Sequence, residues 1–390
     1  MANAQTASSS DSAKARHLVA LIDGTWVSPT HKRRNEQQSN VFWLDLFLES
    51  ANSAGEAQIA FYHPGIGAAT SIGEKWLGGG IALGLERLVE AAYLDIVANF
   101  RKEDKIYIVG FSRGAVVARV VASLVARFGV LNPYFVEYYL DMWKHARGER
   151  PDTDAETIRN NHCIQADVEF LGLFDTVPGA WVQGSSLESG VIRESFFANK
   201  TLPRNIKRAL HILSMDERRV EFQPIEFEGV EDDKAQRLEQ IWMPGIHSDI
   251  GGGYTEDLLS NVSLITMIDR LRAAGLSLDN GRLGDLKQNI RRQFKSEKRI
   301  IVHDEPSRWN WGFPWPFSTL QRRPKNMRDY YHEFCERIEK RLIQTESGPR
   351  TFVLENYNWP PLPVAHVDLL AESLDSPPDR TDYEGIVVGM

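Results

Sequence analysis

Short apolar runs of strand length recur along the first 280 residues, and a glycine, proline or aspartate follows each of them. The runs are His17–Ile22, Ile59–His63, Lys105–Val109, Val168–Phe174 and Gln240–Met243. A short apolar run bounded by turn residues is typical of a buried strand. We therefore predict five core strands, each of which delivers small or polar residues to a turn.

Segments with helical periodicity lie between these runs. From Leu85 to Ile96 the apolar positions recur at intervals of three and four residues, which indicates one buried face of a helix. Three further segments are predicted helices: Val41–Leu48, Ala115–Phe128, and Ser260–Ala274 with Gly275 as its stop. Strands that alternate with helices predict an α/β fold with a mainly parallel central sheet.

The chain changes character beyond Asn280. Residues 282–299 are strongly charged, residues 309–317 are crowded with aromatic residues and prolines, and Met327–Ile343 is predicted to be a charged helix. We predict three parts: a disordered leader at residues 1–16, an α/β core at residues 17–280, and a helical and aromatic extension at residues 281–390 that packs on the core as a cap or lid.

The segment Gly110-Phe111-Ser112-Arg113-Gly114 has the pattern G-x-S-x-G. It follows a predicted strand and precedes an apolar helix, which is the context of a sharp turn that lifts a serine hydroxyl clear of a sheet. The pattern alone also fits an ordinary Gly-Ser turn. In its strand–turn–helix context we interpret Ser112 as a candidate nucleophile.

A serine nucleophile needs a base, and the base needs a carboxylate that orients it. Asp175 and His247 each follow a predicted strand, in the chain order Ser, Asp, His that is typical of the α/β-hydrolase fold. Asp249 is the alternative orienting acid, because it lies two residues after His247. His303 lies in a polar segment, and we do not expect it to belong to the site.

The developing oxyanion of an acyl-transfer reaction needs two backbone N–H donors. Arg113, the residue after the candidate nucleophile, is predicted to supply one of them. The turn Asp23-Gly24-Thr25 at the end of the first strand is the candidate for the other, with Gly24 or Thr25 as the donor and Asp23 in support. An ordinary turn is the alternative for this segment.

Composition and charge exclude several classes of function. The 390 residues include 45 Lys and Arg against 53 Asp and Glu, for a formal charge of −8, and the basic residues are scattered. Such a chain offers no basic patch for a nucleic acid. The two cysteines, Cys163 and Cys335, lack the spacings of a zinc site or a disulfide framework. We expect no metal and no cofactor.

The sequence also carries information on location. The leader lacks the apolar segment of a secretory signal, and no apolar run approaches the ~20 residues that span a bilayer. We therefore expect a soluble protein made in the cytoplasm. This expectation leaves open export by a secretion system that needs no signal peptide.

Five segments together resemble a family of α/β hydrolases, the catalytic domain of type VI secretion phospholipase effectors. They are Leu21–Trp26 with Asn40-Val41, Gly110–Ala115, Gly172–Val177, His211–Pro224 and Glu239–Tyr254. The resemblance implies an α/β-hydrolase fold and hydrolysis of an acyl ester of a glycerophospholipid. It also implies that Ser112, Asp175 and His247 are the nucleophile, the orienting acid and the base.

These inferences predict a serine acyl-ester hydrolase that releases fatty acid from lipid through an acyl-enzyme. Trp309, Trp311 and Trp315 are candidates for peripheral contact with a membrane, because amphipathic rings suit the boundary between water and lipid. The alternative is that these tryptophans form the core of a lid. Two other functions stay open: a carboxylesterase or thioesterase for a small soluble ester, and a non-catalytic binding protein with a hydrolase fold.

Overall fold

The structure is a computed structural model, and it describes residues 14–24, 36–65, 78–146, 149, 152–177, 200–219, 222–234, 236–296, 299–305, 322–324, 328–345, 347–357 and 361–375. Its strands are β1 (His17–Ile22), β2 (Glu36–Ser39), β3 (Gln58–His63), β4 (Lys105–Phe111), β5 (Val130–Leu131), β6 (Cys163–Ile164), β7 (Val168–Phe174), β8 (Thr201–Leu202), β9 (Arg208–Ser214), β10 (Gly229–Val230), β11 (Arg237–Met243), β12 (Gly252–Tyr254), β13 (Ile300–Ile301), β14 (Tyr330–His332), β15 (Leu342–Thr345), β16 (Gly348–Thr351) and β17 (Val364–Ala365). Its α-helices are α1 (Asn40–Phe47), α2 (Gly78–Asn99), α3 (Arg113–Phe128), α4 (Tyr139–Ala146), α5 (Asp152–His162), α6 (His247–Gly251), α7 (Leu258–Ala273), α8 (Asn280–Ser296), α9 (Phe334–Ile338) and α10 (Asp368–Asp375). Two 3-10 helices span Pro133–Tyr138 and Leu354–Tyr357.

Eight of these strands form one sheet, in the spatial order β17-β14-β11-β9-β7-β4-β1-β3. Every neighbouring pair in this sheet is parallel. Parallel neighbours need crossover connections, and helices such as α2 and α3 supply them. The prediction of an α/β-hydrolase type of fold with a mainly parallel central sheet is confirmed.

Strand β1 shows why the sheet is buried on both faces. Leu18, Ala20 and Ile22 belong to an apolar cluster with side chains of α2 and α3, whereas Val19 and Leu21 belong to a second cluster with side chains of α1 and α7. Successive side chains of a strand point to opposite faces. The continuous apolar run of β1 is therefore what a strand covered by helices on both sides requires.

Several predicted elements match the structure closely. Strands β1 and β7 have the predicted bounds. Helix α7 ends at Ala273, and Gly275 follows with φ +103°, a conformation that glycine adopts at little cost at a helix end. Local pattern was sufficient for these elements.

The predicted charged helix over Met327–Ile343 is wrong. The chain there forms β14, the five-residue helix α9 and β15. Tyr330 and Tyr331 pair with β11, and Tyr331 and His332 pair with β17, so residues of the extension continue the central sheet. The open edge of β11 offers backbone partners to these residues, and this tertiary contact outweighs the weak helical pattern.

The ends of the predicted parts are only partly described. Arg16, the last residue of the predicted leader, pairs with Asp104 at 2.6 Å beside β4. Residues 1–13 and the tryptophans Trp309, Trp311 and Trp315 lie outside the described residues, so the disordered leader, the membrane contact and the lid stay predictions. In the part of the chain that is described, no helix combines the length and the apolar character needed to cross a membrane.

Candidate active site

The turn from β4 to α3 holds Ser112 in an unusual backbone conformation, with φ +59° and ψ −125°. A residue other than glycine adopts a positive φ only where its surroundings hold it there. The N–H of Ser112 donates to the carbonyl oxygen of Phe174 at 3.1 Å, which ties the turn to the end of β7. Ser112 is thereby presented at the carboxyl edge of the sheet.

The two glycines of the G-x-S-x-G segment are required by close approach of backbone to backbone. A Cβ atom on Gly110 would lie 2.5 Å from the carbonyl oxygen of Gly114, and one on Gly114 would lie 2.4 Å from the carbonyl oxygen of Asp23. Backbone atoms cannot move aside as the tip of a side chain can. The spacing of the motif is therefore a steric requirement of this turn.

Ser112, His247 and Asp175 lie in one hydrogen-bonded row. Nε2 of His247 is 2.8 Å from Oγ of Ser112, and Nδ1 of His247 is 2.7 Å from Oδ2 of Asp175. The three residues follow β4, β11 and β7, whose carboxyl ends meet at one edge of the sheet. The structure thus brings together the three residues that the sequence nominated, with the spacing of a nucleophile, a base and an orienting acid.

Asp175 is fully buried, and both of its carboxylate oxygens are bound. Ser214 donates its N–H to Oδ1 at 3.1 Å and its hydroxyl to Oδ2 at 3.2 Å. Arg322 places Nη1 2.6 Å from Oδ1 and Nη2 3.1 Å from Oδ2. Burial raises the pKa of Asp175, but the charge of Arg322 and the hydrogen bond from His247 hold that pKa well below its usual range. The carboxyl group is therefore ionised at neutral pH.

The imidazole of His247 is enclosed between aromatic rings. The ring centroids of Phe111 and Phe222 each lie 4.8 Å from the centroid of the imidazole. Burial lowers the pKa of His247, although the hydrogen bond and the charge of Asp175 oppose that change. The imidazole is consequently neutral at pH 7, the form that can accept a proton from Ser112.

Asp249, the alternative orienting acid, contacts a different histidine. Its Oδ1 lies 2.6 Å from Nδ1 of His303, and its Oδ2 accepts the backbone N–H of Ile246 at 2.9 Å. Asp249 is thus engaged in holding His303 and the start of α6. Of the two acids considered, Asp175 is the one whose carboxylate contacts His247.

Two of the candidate oxyanion donors, Arg113 and Gly24, lie beside Ser112. Arg113 is the first residue of α3, where a backbone N–H has no acceptor within the helix. A Cβ atom on Gly24 would lie 3.4 Å from Cβ of Ser112, but the N–H of Gly24 donates to Oδ1 of Asp23 at 2.6 Å. Thr25 lies outside the described residues. The roles of Arg113 and of a second donor at Gly24 or Thr25 therefore stay predictions.

Asp23 secures the end of β1 next to the turn of Ser112. Its Oδ2 accepts hydroxyl groups from Ser39 at 2.5 Å and from Tyr62 at 2.6 Å. Burial raises the pKa of Asp23 to about 6, although these donors and the Gly24 N–H oppose the increase. Asp23 contacts neither Ser112 nor His247 through its described hydrogen bonds, so it supports the loop rather than the reacting atoms.

The sequence analysis did not nominate three polar or charged residues that hydrogen-bond to Ser112, His247 or Asp175 among the described residues. Ser214 ends β9, so its position as a polar residue at a strand end was a usable signal. Glu217, which accepts the backbone N–H of His247 at 3.3 Å, lies in the segment His211–Pro224 that carried the family resemblance. Arg322 comes from the extension, and no local pattern marks it.

The described side chains can be searched for groups that could hold a metal ion. Among the residues that the structure describes, no group of three or more His, Cys, Asp or Glu side chains is arranged to hold a metal ion. Cys163 is half-buried, Cys335 is buried, and both are free thiols.

A family model described as the catalytic domain of the Tle1-like phospholipase effectors of type VI secretion matches residues 16–270. The chain belongs to this family. The match includes Ser112, Asp175 and His247, and it ends before the extension that carries Arg322. The resemblance found in the sequence is confirmed.

Individual relatives are more distant. An uncharacterized protein of Saccharomyces cerevisiae is 26% identical over 250 residues, which cover 56% of this chain and 34% of that protein. The crystal structure of an uncharacterized protein from Pseudomonas aeruginosa aligns with a TM-score of 0.41 and 19% sequence identity. The alignment covers 68% of this chain and 46% of that chain. The Tle1 effector bound to the VgrG spike of the type VI secretion system is 21% identical with a TM-score of 0.37, covering 62% and 52%. A thermophilic esterase from the Planctomycetes species Thermogutta terrifontis is 13% identical with a TM-score of 0.34, covering 67% and 84%. This chain thus spans about a third of the length of the curated Saccharomyces cerevisiae relative.

Proposed function

We propose that this protein is a serine hydrolase that cleaves an acyl ester of a phospholipid and releases a fatty acid. The observation that carries the proposal is the unbroken row from Ser112 Oγ through His247 to Asp175, with distances of 2.8 Å and 2.7 Å. The family is one of phospholipase effectors, which supports a hydrolase of the lipase and esterase class and a phospholipid as the substrate.

The first half of the reaction acylates Ser112. Nε2 of His247 accepts the hydroxyl proton as Oγ attacks the carbonyl carbon of the ester, and Asp175 stabilises the imidazolium that forms. The carbonyl oxygen becomes an oxyanion, to which the N–H of Arg113 donates. When the tetrahedral intermediate collapses, the C–O bond to the alcohol breaks, and the alcohol leaves with the proton from His247.

The second half releases the fatty acid. His247 accepts a proton from a water molecule, whose oxygen attacks the acyl carbon on Ser112. The bond between that carbon and Oγ then breaks, and Oγ recovers the proton from His247. Ser112 and His247 thereby return to their starting states.

The test is the release of free fatty acid from vesicles of mixed phospholipids. Ser112→Ala and His247→Ala should each lower kcat by about 10⁴-fold or more, because removing one member of such a triad abolishes most of its effect. His366→Ala is the matched control, because His366 is exposed and lies outside the site. Activity that persists in Ser112→Ala would overturn the proposal.

A fluorophosphonate probe separates the alternatives that the sequence left open. An activated Ser112 should react with the probe in the wild type and not in Ser112→Ala. Labelling without fatty acid release, together with turnover of short soluble esters, would replace the phospholipid with a small ester. Absence of labelling would indicate a binding protein with a hydrolase fold.

A further inference from the structure

Arg322 is a fully buried cation that the extension places against the core. Its guanidinium and the carboxylate of Asp175 are both 0% exposed, and the closest of their atoms lie 2.6 Å apart. Moving a guanidinium out of water is costly unless several strong partners receive it. Arg322 has such partners, because Nη1 also donates to the hydroxyl oxygen of Ser214 at 2.6 Å and Nη2 donates to the carbonyl oxygen of Phe222.

The guanidinium fixes the plane of the Asp175 carboxylate. Two donors of Arg322 meet two oxygens of Asp175, at 2.6 Å and 3.1 Å, and this forked contact restricts rotation of the carboxylate more than a single ammonium would. The oxygen that accepts from Nη2 is Oδ2, the same oxygen that contacts Nδ1 of His247. Arg322, together with the two donors of Ser214, therefore restricts where the acceptor of the imidazole N–H lies.

The charge of Arg322 also opposes protonation of His247. In a simple triad the lone negative charge of the acid stabilises the imidazolium, and here the positive charge of Arg322 beside Asp175 offsets part of that stabilisation. The other charged groups that face His247 are Glu217, which favours the imidazolium, and Arg219, which opposes it while paired with Glu217 at 2.7 Å. Near Asp175, burial lowers the pKa of His211 to about 3, so His211 adds no charge at neutral pH.

We propose that Arg322 is a positioning residue for the triad. It is supplied by the extension, it orients Asp175, and it limits the basicity of His247. This inference rests on the proposed function for its meaning in catalysis. It assigns to the extension a part in the chemistry, because in the described chain Arg322 is the one Arg or Lys whose side chain contacts the carboxylate of Asp175. Residues 17–280 would accordingly supply the nucleophile, the base, the acid and the Ser214 donors to that acid, but not the cation that binds it.

The experiment compares Arg322→Met and Arg322→Lys in the full chain. Arg322→Met removes the charge and the fork at similar length, whereas Arg322→Lys keeps the charge and loses the fork. Arg337→Met is the matched control, because Arg337 also lies in the extension and pairs with Asp375 at 2.8 Å, away from the triad. Thermal melting of each variant reports the folded fraction at the assay temperature.

Two readouts separate positioning from a purely structural role. Arg322→Met should lower kcat by about 10²-fold with KM within about twofold, as expected when a reacting group is misplaced. It should also move the acidic limb of kcat/KM to higher pH by about one unit, because a positive charge near His247 has gone. Arg322→Lys should keep the limb near the wild-type position and recover part of kcat.

The pH titration of the His247 Nδ1–H proton, followed by NMR, measures the same shift without turnover. A shift in this titration for Arg322→Met supports the inference even if the wild type releases no fatty acid, an outcome that would overturn only the proposed function. Wild-type kcat and an unmoved titration in folded Arg322→Met would overturn the inference. A loss of activity in Arg322→Met that is no larger than its unfolded fraction would also overturn the inference. The control Arg337→Met shows how activity follows the unfolded fraction when the triad is untouched.

Discussion

The carboxylate of Asp249 contacts Nδ1 of His303 at 2.6 Å, although His247 is only two residues away in the chain. The imidazole of His247 instead meets Asp175, whose carboxylate lies 2.7 Å from its Nδ1. The two carboxylates therefore bind different histidines: Asp175 binds His247, and Asp249 binds His303. This pairing predicts that the two acids differ sharply in their effect on activity.

Asp175→Asn should lower kcat by about 10⁴-fold, because the neutral amide neither holds the catalytic tautomer of His247 nor stabilises the imidazolium. Asp249→Asn is the matched variant, and it should keep kcat within about threefold. It should lower the free energy of unfolding by about 1–3 kcal/mol, because the bond to His303 loses its charge. The check is kcat on folded protein together with urea unfolding, and equal kcat in the two variants would contradict the assignment.

The pH dependence of activity should reflect the buried imidazole of His247. Burial lowers the pKa of His247 from its ordinary 6.5, and the neutral form is the active base. Activity should therefore be complete above that pKa and fall as the pH drops through it, so the acidic limb of kcat/KM should lie below pH 6.5. Fluorophosphonate labelling of Ser112 should show the same limb. A limb above pH 6.5 in both assays would mean that the imidazole is more basic than its burial implies.

Replacing a glycine by alanine should lower stability at the turn of Ser112 but not within an ordinary helix. Gly114→Ala should lower the free energy of unfolding by about 2–3 kcal/mol and reduce activity, because the new Cβ would lie 2.4 Å from the carbonyl oxygen of Asp23. Gly284→Ala is the control in α8, where a Cβ would meet nothing within 4 Å. It should raise stability by about 0.5–1 kcal/mol, because alanine loses less backbone entropy in a helix. Urea unfolding measures both changes, and a stable, active Gly114→Ala would show that this backbone can yield.

The buried carboxyl of Asp23 should make folding depend on pH. Its pKa is about 6 in the folded protein and 3.8 as the ordinary value, so between these values the folded state keeps a proton that the unfolded chain has released. Stability should therefore fall as the pH rises through this window, by up to about 3 kcal/mol. Asp23→Asn lacks this contribution. Urea unfolding from pH 4 to pH 7 should show the wild type losing stability relative to Asp23→Asn, and parallel curves would rule out the raised pKa.

Local pattern predicted the elements that carry their own signal. Strands β1 and β7 are short apolar runs with clear ends, and α7 stops beside a glycine. The helix predicted over Met327–Ile343 was wrong because the helical pattern of this segment is weak. The structure of its first strand depends on pairing with β11 and β17. A strand at the edge of a sheet is decided by the partner it finds rather than by its own residues.

The sequence by itself determined the parallel sheet, the position of Ser112 on a sharp turn, and the order of the residues that could serve it. Periodicity and turn chemistry act over a few residues, so they can be read along the chain. The tertiary structure alone decided that Asp175 rather than Asp249 contacts His247, and that Arg322 binds Asp175 across 147 residues of chain. Contacts between side chains so far apart depend on which strand ends meet and on how buried charges are neutralised, and neither leaves a periodic mark in the sequence.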